Sequence, residues 1–259
     1  MRIKAFLLSG IIVLLGPTVY SDGVKPVSEL RPGSDKVFRY SAKKFGLPFL
    51  HASIRIQNGS QEQGKTVYQV EASVDSLNYL GFLFRMNNRF ISTMEGENCT
   101  PIRYVKVIDQ EGLLVKRKRE HQVFTFDHLN QKVLVERTEK QERQEVLLPP
   151  QTYDPLSMFA YYYFKKELHP GQDIQMSIYD GIKVRQMVFH SKREKVSSTK
   201  LGEVEAIRIE STTSFSAFGD KEGVIRIWYA AGGERTPIAM ELDLPVGDVR
   251  FELEEMKEN

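Results

Sequence analysis

From Val37 to Leu253 the chain alternates apolar and polar residues in short runs, and this period of two, broken by turns, constrains the fold more than any other feature. In Thr66–Val74 the apolar side chains Tyr68, Val70, Ala72 and Val74 fall on one side of an extended backbone. That pattern suits a strand buried on one face and wet on the other. It recurs at Val37–Ser41, Ala52–Ile56, Ile102–Ile108, Leu113–Lys118, Val123–Phe126 and Lys132–Arg137. It returns at Asp173–Tyr179, Ile182–Phe189, Glu205–Ser211, Val224–Tyr229, Ile238–Leu242 and Val249–Leu253. Turn signals separate the runs, among them Asn58–Gly59, Glu111–Gly112, His128–Asn130, Tyr179–Gly181, Lys200–Gly202, Gly232–Gly233 and Gly247–Asp248. The expectation is a mainly β fold: a curved antiparallel meander forming a partly open barrel or sandwich.

Two segments depart from the rhythm. Leu77–Phe84 is apolar without alternation. Residues 154–166 read as the one helix, with Asp154 as N-cap, Pro155 in the first turn and Lys165 and Lys166 at the negative end of the helix dipole. No stretch is rich enough in glycine or serine to divide the chain, so residues 35–259 are expected to form a single β-rich domain after a Pro/Gly/Ser-containing leader, 22–34.

The N-terminus carries Arg2 and Lys4, an apolar run from Ala5 to Leu15, a break at Gly16–Pro17 and small residues up to Ser21. This is the layout of a cleavable signal peptide over residues 1–21, which places the mature chain in the periplasm or cell envelope. The apolar run is too short to span a bilayer, which takes roughly 20 residues, and no later segment is apolar enough, so no transmembrane span is expected after cleavage. Lys+Arg total 36 against 34 Asp+Glu, and loss of Arg2 and Lys4 leaves 34 of each. A neutral chain has no general attraction for phosphate backbones, so nucleic acid is not an expected partner. The lone Cys99 excludes an internal disulfide, which a chain of this length does not need.

Four places in the sequence resemble one known family. They are Phe38–Tyr40 leading through Gly46 to Ala52–Ile54, the step Phe126–Asp127, the run Leu148–Pro149–Pro150 before Tyr153–Asp154–Pro155–Leu156–Ser157, and the ending Ile227–Trp228–Tyr229 with Arg235–Thr236–Pro237–Ile238 and Gly247. With these the chain resembles domain-of-unknown-function family 3108, a group of exported bacterial proteins, over most of its length after residue 21. The resemblance implies an envelope location and a β-rich fold, and it carries no established chemistry. At the level of fold the family is similar to the curved half-barrels of periplasmic lipoprotein carriers, which is analogy alone.

No constellation points to catalysis. His51, His121, His128, His169 and His190 are scattered over separate runs, none at zinc-site spacing, and Cys99 stands apart from them. Ser157 lies in a helix-start motif, not a nucleophile elbow. Neither an enzyme nor a cofactor or metal is expected. The basic run Lys116, Arg117, Lys118 and Arg119 suits either contact with an anionic surface or a charged, solvated edge strand. The aromatic helix residues Phe159, Tyr161, Tyr162 and Tyr163, with Leu80 and Phe82, suit either a packed core or a groove for an acyl chain. The function expected first is a non-catalytic envelope protein that binds a lipid or lipidated ligand between sheet and helix. The alternative is an adaptor or scaffold that pairs its strand edges with an envelope protein partner and needs no small ligand. On export, N-terminal sequencing of mature protein from a bacterial host should begin at or within a few residues of Asp22. Soluble cytoplasmic protein that keeps Met1 would overturn that expectation.

Overall fold

The computed structural model describes residues 35–44, 47–62, 65–81, 83–96, 98–113, 117–164, 168–215, 220–232, 235–244 and 247–258. The expected signal peptide and leader lie outside the described residues, as do Phe82, Lys116, Lys165 and Lys166. Eight strands precede a short bridge: β1 (Lys36–Lys44), β2 (Leu47–Glu62), β3 (Lys65–Ser76), β4 (Phe84–Glu95), β5 (Thr100–Gly112), β6 (Lys118–Asp127), β7 (Lys132–Arg137) and β8 (Glu142–Leu147). The two-residue β9 (Thr152–Tyr153) leads into α1 (Pro155–Phe164). Then follow β10 (Ile174–Tyr179), β11 (Val184–Ser198), β12 (Gly202–Phe215), β13 (Lys221–Ala230), β14 (Pro237–Leu244) and β15 (Gly247–Glu258).

All fifteen strands join one sheet in the order β8-β7-β6-β5-β4-β3-β2-β1-β15-β14-β13-β12-β11-β10-β9. Two antiparallel meanders therefore meet at its middle, where the first strand pairs with the last. Only β9 and β10 run parallel. Alternation in the sequence becomes alternation in burial: along β4 the residues Phe84, Met86, Asn88, Phe90, Ser92 and Met94 are all buried and their neighbours are half-exposed.

The sheet curls until its two arms touch. Strands β6 and β10 stand eleven places apart in the sheet order, which would be about 50 Å in a flat sheet. Yet the Phe124 ring of β6 meets the Tyr179 ring of β10 edge-on, with centroids 5.8 Å apart. Register shifts at Arg39/Tyr40, Ala42/Lys43, Gln57/Ser60, Thr93/Met94 and Trp228/Tyr229 supply bends that help the sheet turn.

One of these bends corrects an expected turn. Asn58–Gly59 does not end a strand; it forms a bulge inside β2, opposite β3. A Cβ on Gly59 would stand 2.8 Å from the Tyr68 ring, so close approach to β3, not turn formation, requires glycine there. The helix is described over Pro155–Phe164, and the apolar segment after β3 contains a 3₁₀ turn, Asn78–Leu80. The whole of β4, the charged strand β8 and the second half of β11 are strands that the sequence pattern did not mark.

Contact between the arms depends on Gly181, in the turn after β10. Its φ is +89°, and a Cβ there would fall 2.8 Å from Phe124 Cζ. Gly181→Ala should destabilise the fold by about 1–3 kcal/mol through backbone strain and overpacking together. Gly202→Ala, with φ +73° and nothing within 4 Å of the new Cβ, should cost less. Chemical denaturation of the two variants checks the difference.

Candidate functional site

Asp154 fixes where α1 enters the sheet. Its Oδ1 accepts the amides of Leu156 (2.8 Å) and Ser157 (3.0 Å), two donors that the first helical turn leaves unpaired. Ser157 Oγ accepts the Asp154 amide in return (2.9 Å), closing a reciprocal cap. From β4, Ser92 Oγ donates to Asp154 Oδ2 at 2.7 Å, so the cap is also a bolt between helix and sheet. Burial pushes the Asp154 carboxyl above its usual range, while the hydrogen bonds from Ser92 and the helix start pull it back. This serine and this aspartate are committed to structure.

The tyrosines of α1 divide by direction, as a turn of about 100° per residue requires. Phe159 and Tyr162 are fully in the core, and Tyr229 from β13 donates its hydroxyl to the Phe159 carbonyl (3.1 Å). Tyr162 packs on Phe189 of β11 with centroids 5.6 Å apart. Tyr163 is half-buried against Phe38 of β1, and Phe164 lies on Tyr68 near the start of β3. Leu80 does not join them. It follows the far end of β3, where Tyr79 donates its hydroxyl to the Pro48 carbonyl. Eight residues of extended strand separate Tyr68 from Ser76, about 26 Å. Leu80 and Phe164 thus stand toward opposite ends of β3, while Leu80, Tyr161 and Tyr163 all pack at the margin of the one main core.

Tyr161 points elsewhere, onto the place where the sheet fails to close. The edges of the sheet are β8 and β9, and the chain crosses from one to the other through Leu148–Pro149–Pro150–Gln151. A cavity of about 250 Å³ opens at this seam. Tyr153 and Tyr161, their rings 5.9 Å apart and steeply inclined, form one wall. The two prolines, Ile174 and Met176 form others, and Gln151, Gln175, Gln186 and Ser177 bring amides and a hydroxyl. None of the lining residues is charged. Sequence reasoning reaches Tyr161 but misses the rest, because nothing in the sequence says that two strands flanking a Pro-Pro link are the two ends of one sheet.

The basic run is matched by acids. Arg117 lies 3.7 Å from Glu111, Lys118 3.2 Å from Glu120 and Arg119 3.3 Å from Asp109. Its described residues are thus paired with acids on β5 and on β6 itself, the kind of charged surface that keeps exposed strands soluble. The buried Cys99 thiol is pushed up to about 12, chiefly by burial, which leaves almost no thiolate. His128 Nε2 sits 2.7 Å from the Pro101 carbonyl, and His190 Nδ1 2.7 Å from Asp173. Among the described residues no cluster of three or more His, Cys, Asp or Glu could hold a metal ion, and no helix is long and apolar enough to cross a membrane.

Apart from Asp154, the described charged residues that are buried are Glu71, Lys106 and Asp180. Lys106 on β5 points inward between Phe90 and Gln122 of the neighbouring strands, and its amine donates to the Asp180 carbonyl at 3.2 Å. The Asp180 carboxylate takes the Arg185 guanidinium (3.1 Å) and the amides of Ile182 and Lys183, so Lys106 docks on a rigid turn. Burial lowers the Lys106 amine from 10.5 to about 8, and Lys118 adds to the effect. Between those values the unfolded chain binds a proton that the folded chain has released, so the Lys106 contribution to stability rises with pH across the window. Cys99 and the buried tyrosines, whose pKa values are raised, act in the opposite direction. The Lys106 contribution, on the order of 3 kcal/mol, is therefore the difference in pH dependence between the native chain and Lys106→Met. Urea unfolding of both proteins at either end of the window measures it.

Comparison with known proteins agrees with this fold. A β-barrel-like protein of domain of unknown function DUF1849 from Brucella abortus superposes with a TM-score of 0.56 at 11% identity, covering 89% of this chain and 99% of that one. A candidate lipoprotein from Parabacteroides distasonis gives a TM-score of 0.33 at 12% identity over 87% of this chain and 96% of its own, too low to carry a structural argument. No curated protein matches. The family model described as protein of unknown function, DUF3108, matches residues 38–254, and the chain belongs to that family.

Proposed function

We propose that the chain is a non-catalytic protein of the periplasm or cell envelope that binds a lipid or lipidated ligand where α1 meets the open seam. The observation that carries this reading is the uncharged cavity walled by Tyr153 and Tyr161, at the one place where the fifteen-stranded sheet is not paired into itself. The accessible lining is more polar than apolar, so an occupant would be held by hydrogen bonds at the rim as well as by contact with the tyrosine rings. Tyrosine hydroxyls and glutamine amides at the rim suit a ligand with an apolar body and a polar end. The high thiol pKa of Cys99 and the structural duty of Asp154 and Ser157 favour binding over catalysis. The apolar N-terminal run favours the envelope.

The adaptor reading keeps a place for one reason. The outer edge of β8 has no strand partner among the described residues, and Leu147 at its end is 81% exposed, with Leu129 at the β6–β7 turn 96% exposed. Charged side chains along Glu142–Glu145 work against pairing there.

Two alanine variants test the ligand reading. Tyr161→Ala should weaken binding of a fluorescent fatty-acid probe while costing little stability, because the side chain borders a cavity. Tyr162→Ala should cost about 3–5 kcal/mol, as loss of a core aromatic does. A probe that binds Tyr161→Ala as tightly as the native chain, or that binds neither, removes the lipid reading.

A further inference from the structure

We infer that the seam is a strand-addition site: an extended peptide segment without charged residues at its centre pairs with the open edge of β10 and places one apolar side chain between Tyr153 and Tyr161. The inference rests on the reading of the seam as the ligand site and names the part of a ligand that the seam would recognise.

Pairing along β10 leaves the edge open. One side of Ile174–Tyr179 is taken by β11 over the full strand, while the other side meets β9 only at Ser177 and Ile178. Over Ile174, Gln175 and Met176 the backbone groups that face the seam have no strand partner among the described residues. The link that could have covered them begins Pro149–Pro150, and proline has no N–H with which to extend a ladder. Thr152 Oγ1 then turns the link back on itself by donating to the Pro149 carbonyl at 2.7 Å, while also touching Ser177 Oγ at 3.0 Å. The prolines thus stop the chain from satisfying its own edge and leave the cavity in front of it.

Size and charge select the occupant. A cavity of about 250 Å³ lies below the ~300–1,000 Å³ typical of pockets that enclose a whole small molecule, but it suits a single side chain. Strand addition draws affinity from main-chain hydrogen bonds and specificity from such side-chain pockets. The other free edge, β8, presents Glu142, Arg143 and Glu145, a composition that discourages pairing. Around the β10 edge the polar side chains are glutamines and a serine, which can bond to amides and exert no net field. Charge therefore separates a guarded edge from a receptive one, and an uncharged extended segment matches the second.

The test uses the full mature chain and three probes: a capped heptapeptide of alternating serine and valine with a central phenylalanine, the same peptide N-methylated at alternate amides, and a fluorescent fatty acid. The heptapeptide should bind, N-methylation should weaken it at least ~tenfold, and Gln175→Glu should weaken it similarly with an unchanged circular dichroism spectrum. Hydrogen exchange should slow at Ile174–Met176 on binding and stay unchanged at Glu142–Leu147. Equal binding of both peptides, or protection appearing at β8, overturns strand addition at this edge. Fatty-acid binding with no peptide binding overturns it too but leaves the lipid reading intact. Peptide binding with no fatty-acid binding does the reverse.

Discussion

A sheet of fifteen strands that curls on itself encloses more space than its own side chains can fill, and that space governs the rest of the structure. Eight strands close around an interior that inward side chains just occupy. Here the arms meet at Phe124 and Tyr179 after twelve strands, half as many again, and the surplus volume has to hold something apolar. It holds α1. Seven of the ten helix residues are buried, including the consecutive Leu156, Ser157 and Met158, which point about 100° apart, so the helix is buried nearly all round, as an element inside a core must be. A short helix with no solvent-facing stripe would not persist alone. Its stability comes from the sheet around it, and the sheet's shape comes from the helix.

That dependence explains why so much polar chemistry is buried at the points of attachment. Asp154 gives up hydration to cap α1, and it is repaid by two helix amides and Ser92, which turns a capping interaction into a tether to β4. Lys106 performs a similar service between the arms by reaching the Asp180 carbonyl, at a cost visible in its lowered pKa. Hydrophobic side chains of equal volume would pack more cheaply in both places, but they would not specify which turn of one arm meets which strand of the other. In a sheet whose edges are free to slide past each other, these directional contacts fix the closure.

The legible part of this fold is the part with local causes. Alternation in Thr66–Val74 and Val249–Leu253 marks β3 and β15 because one face of each is buried along its length, and the cap at Asp154 with Pro155 marks α1 because helix starts have local chemistry. Strand β8 escapes, because Glu142–Glu145 is exposed on both faces and carries no apolar period. Asn58–Gly59 misleads, because a bulge and a turn use the same residues and only the approach of Tyr68 tells them apart. Family likeness in Leu148–Pro150 and Tyr153–Ser157 falls on the seam link and the helix cap, yet the sequence does not reveal that these residues stand where a sheet ends. Leu80 and Phe164 read alike as apolar residues for a related reason, and only long-range register sets them toward opposite ends of β3.

Closure and its failure are set by the same few residues. A sheet with consecutive edge strands could in principle pair β8 with β10 and become a sealed barrel, with no backbone edge left to satisfy. Three features prevent that. The Pro149–Pro150 link has no amide protons to contribute, β9 stops after two residues as the chain turns inward to form α1, and β8 carries charges that would have to be desolvated against the uncharged flank of β10. The same β8 charges also pair with β7, Glu145 with Lys132, Glu142 with Arg137 and Arg143 with Glu136, so what keeps this edge unpaired also holds it to its neighbour. The opening beside Tyr161 is therefore a consequence of how the link, β9 and β8 are built, and not of a shortage of strands to close it.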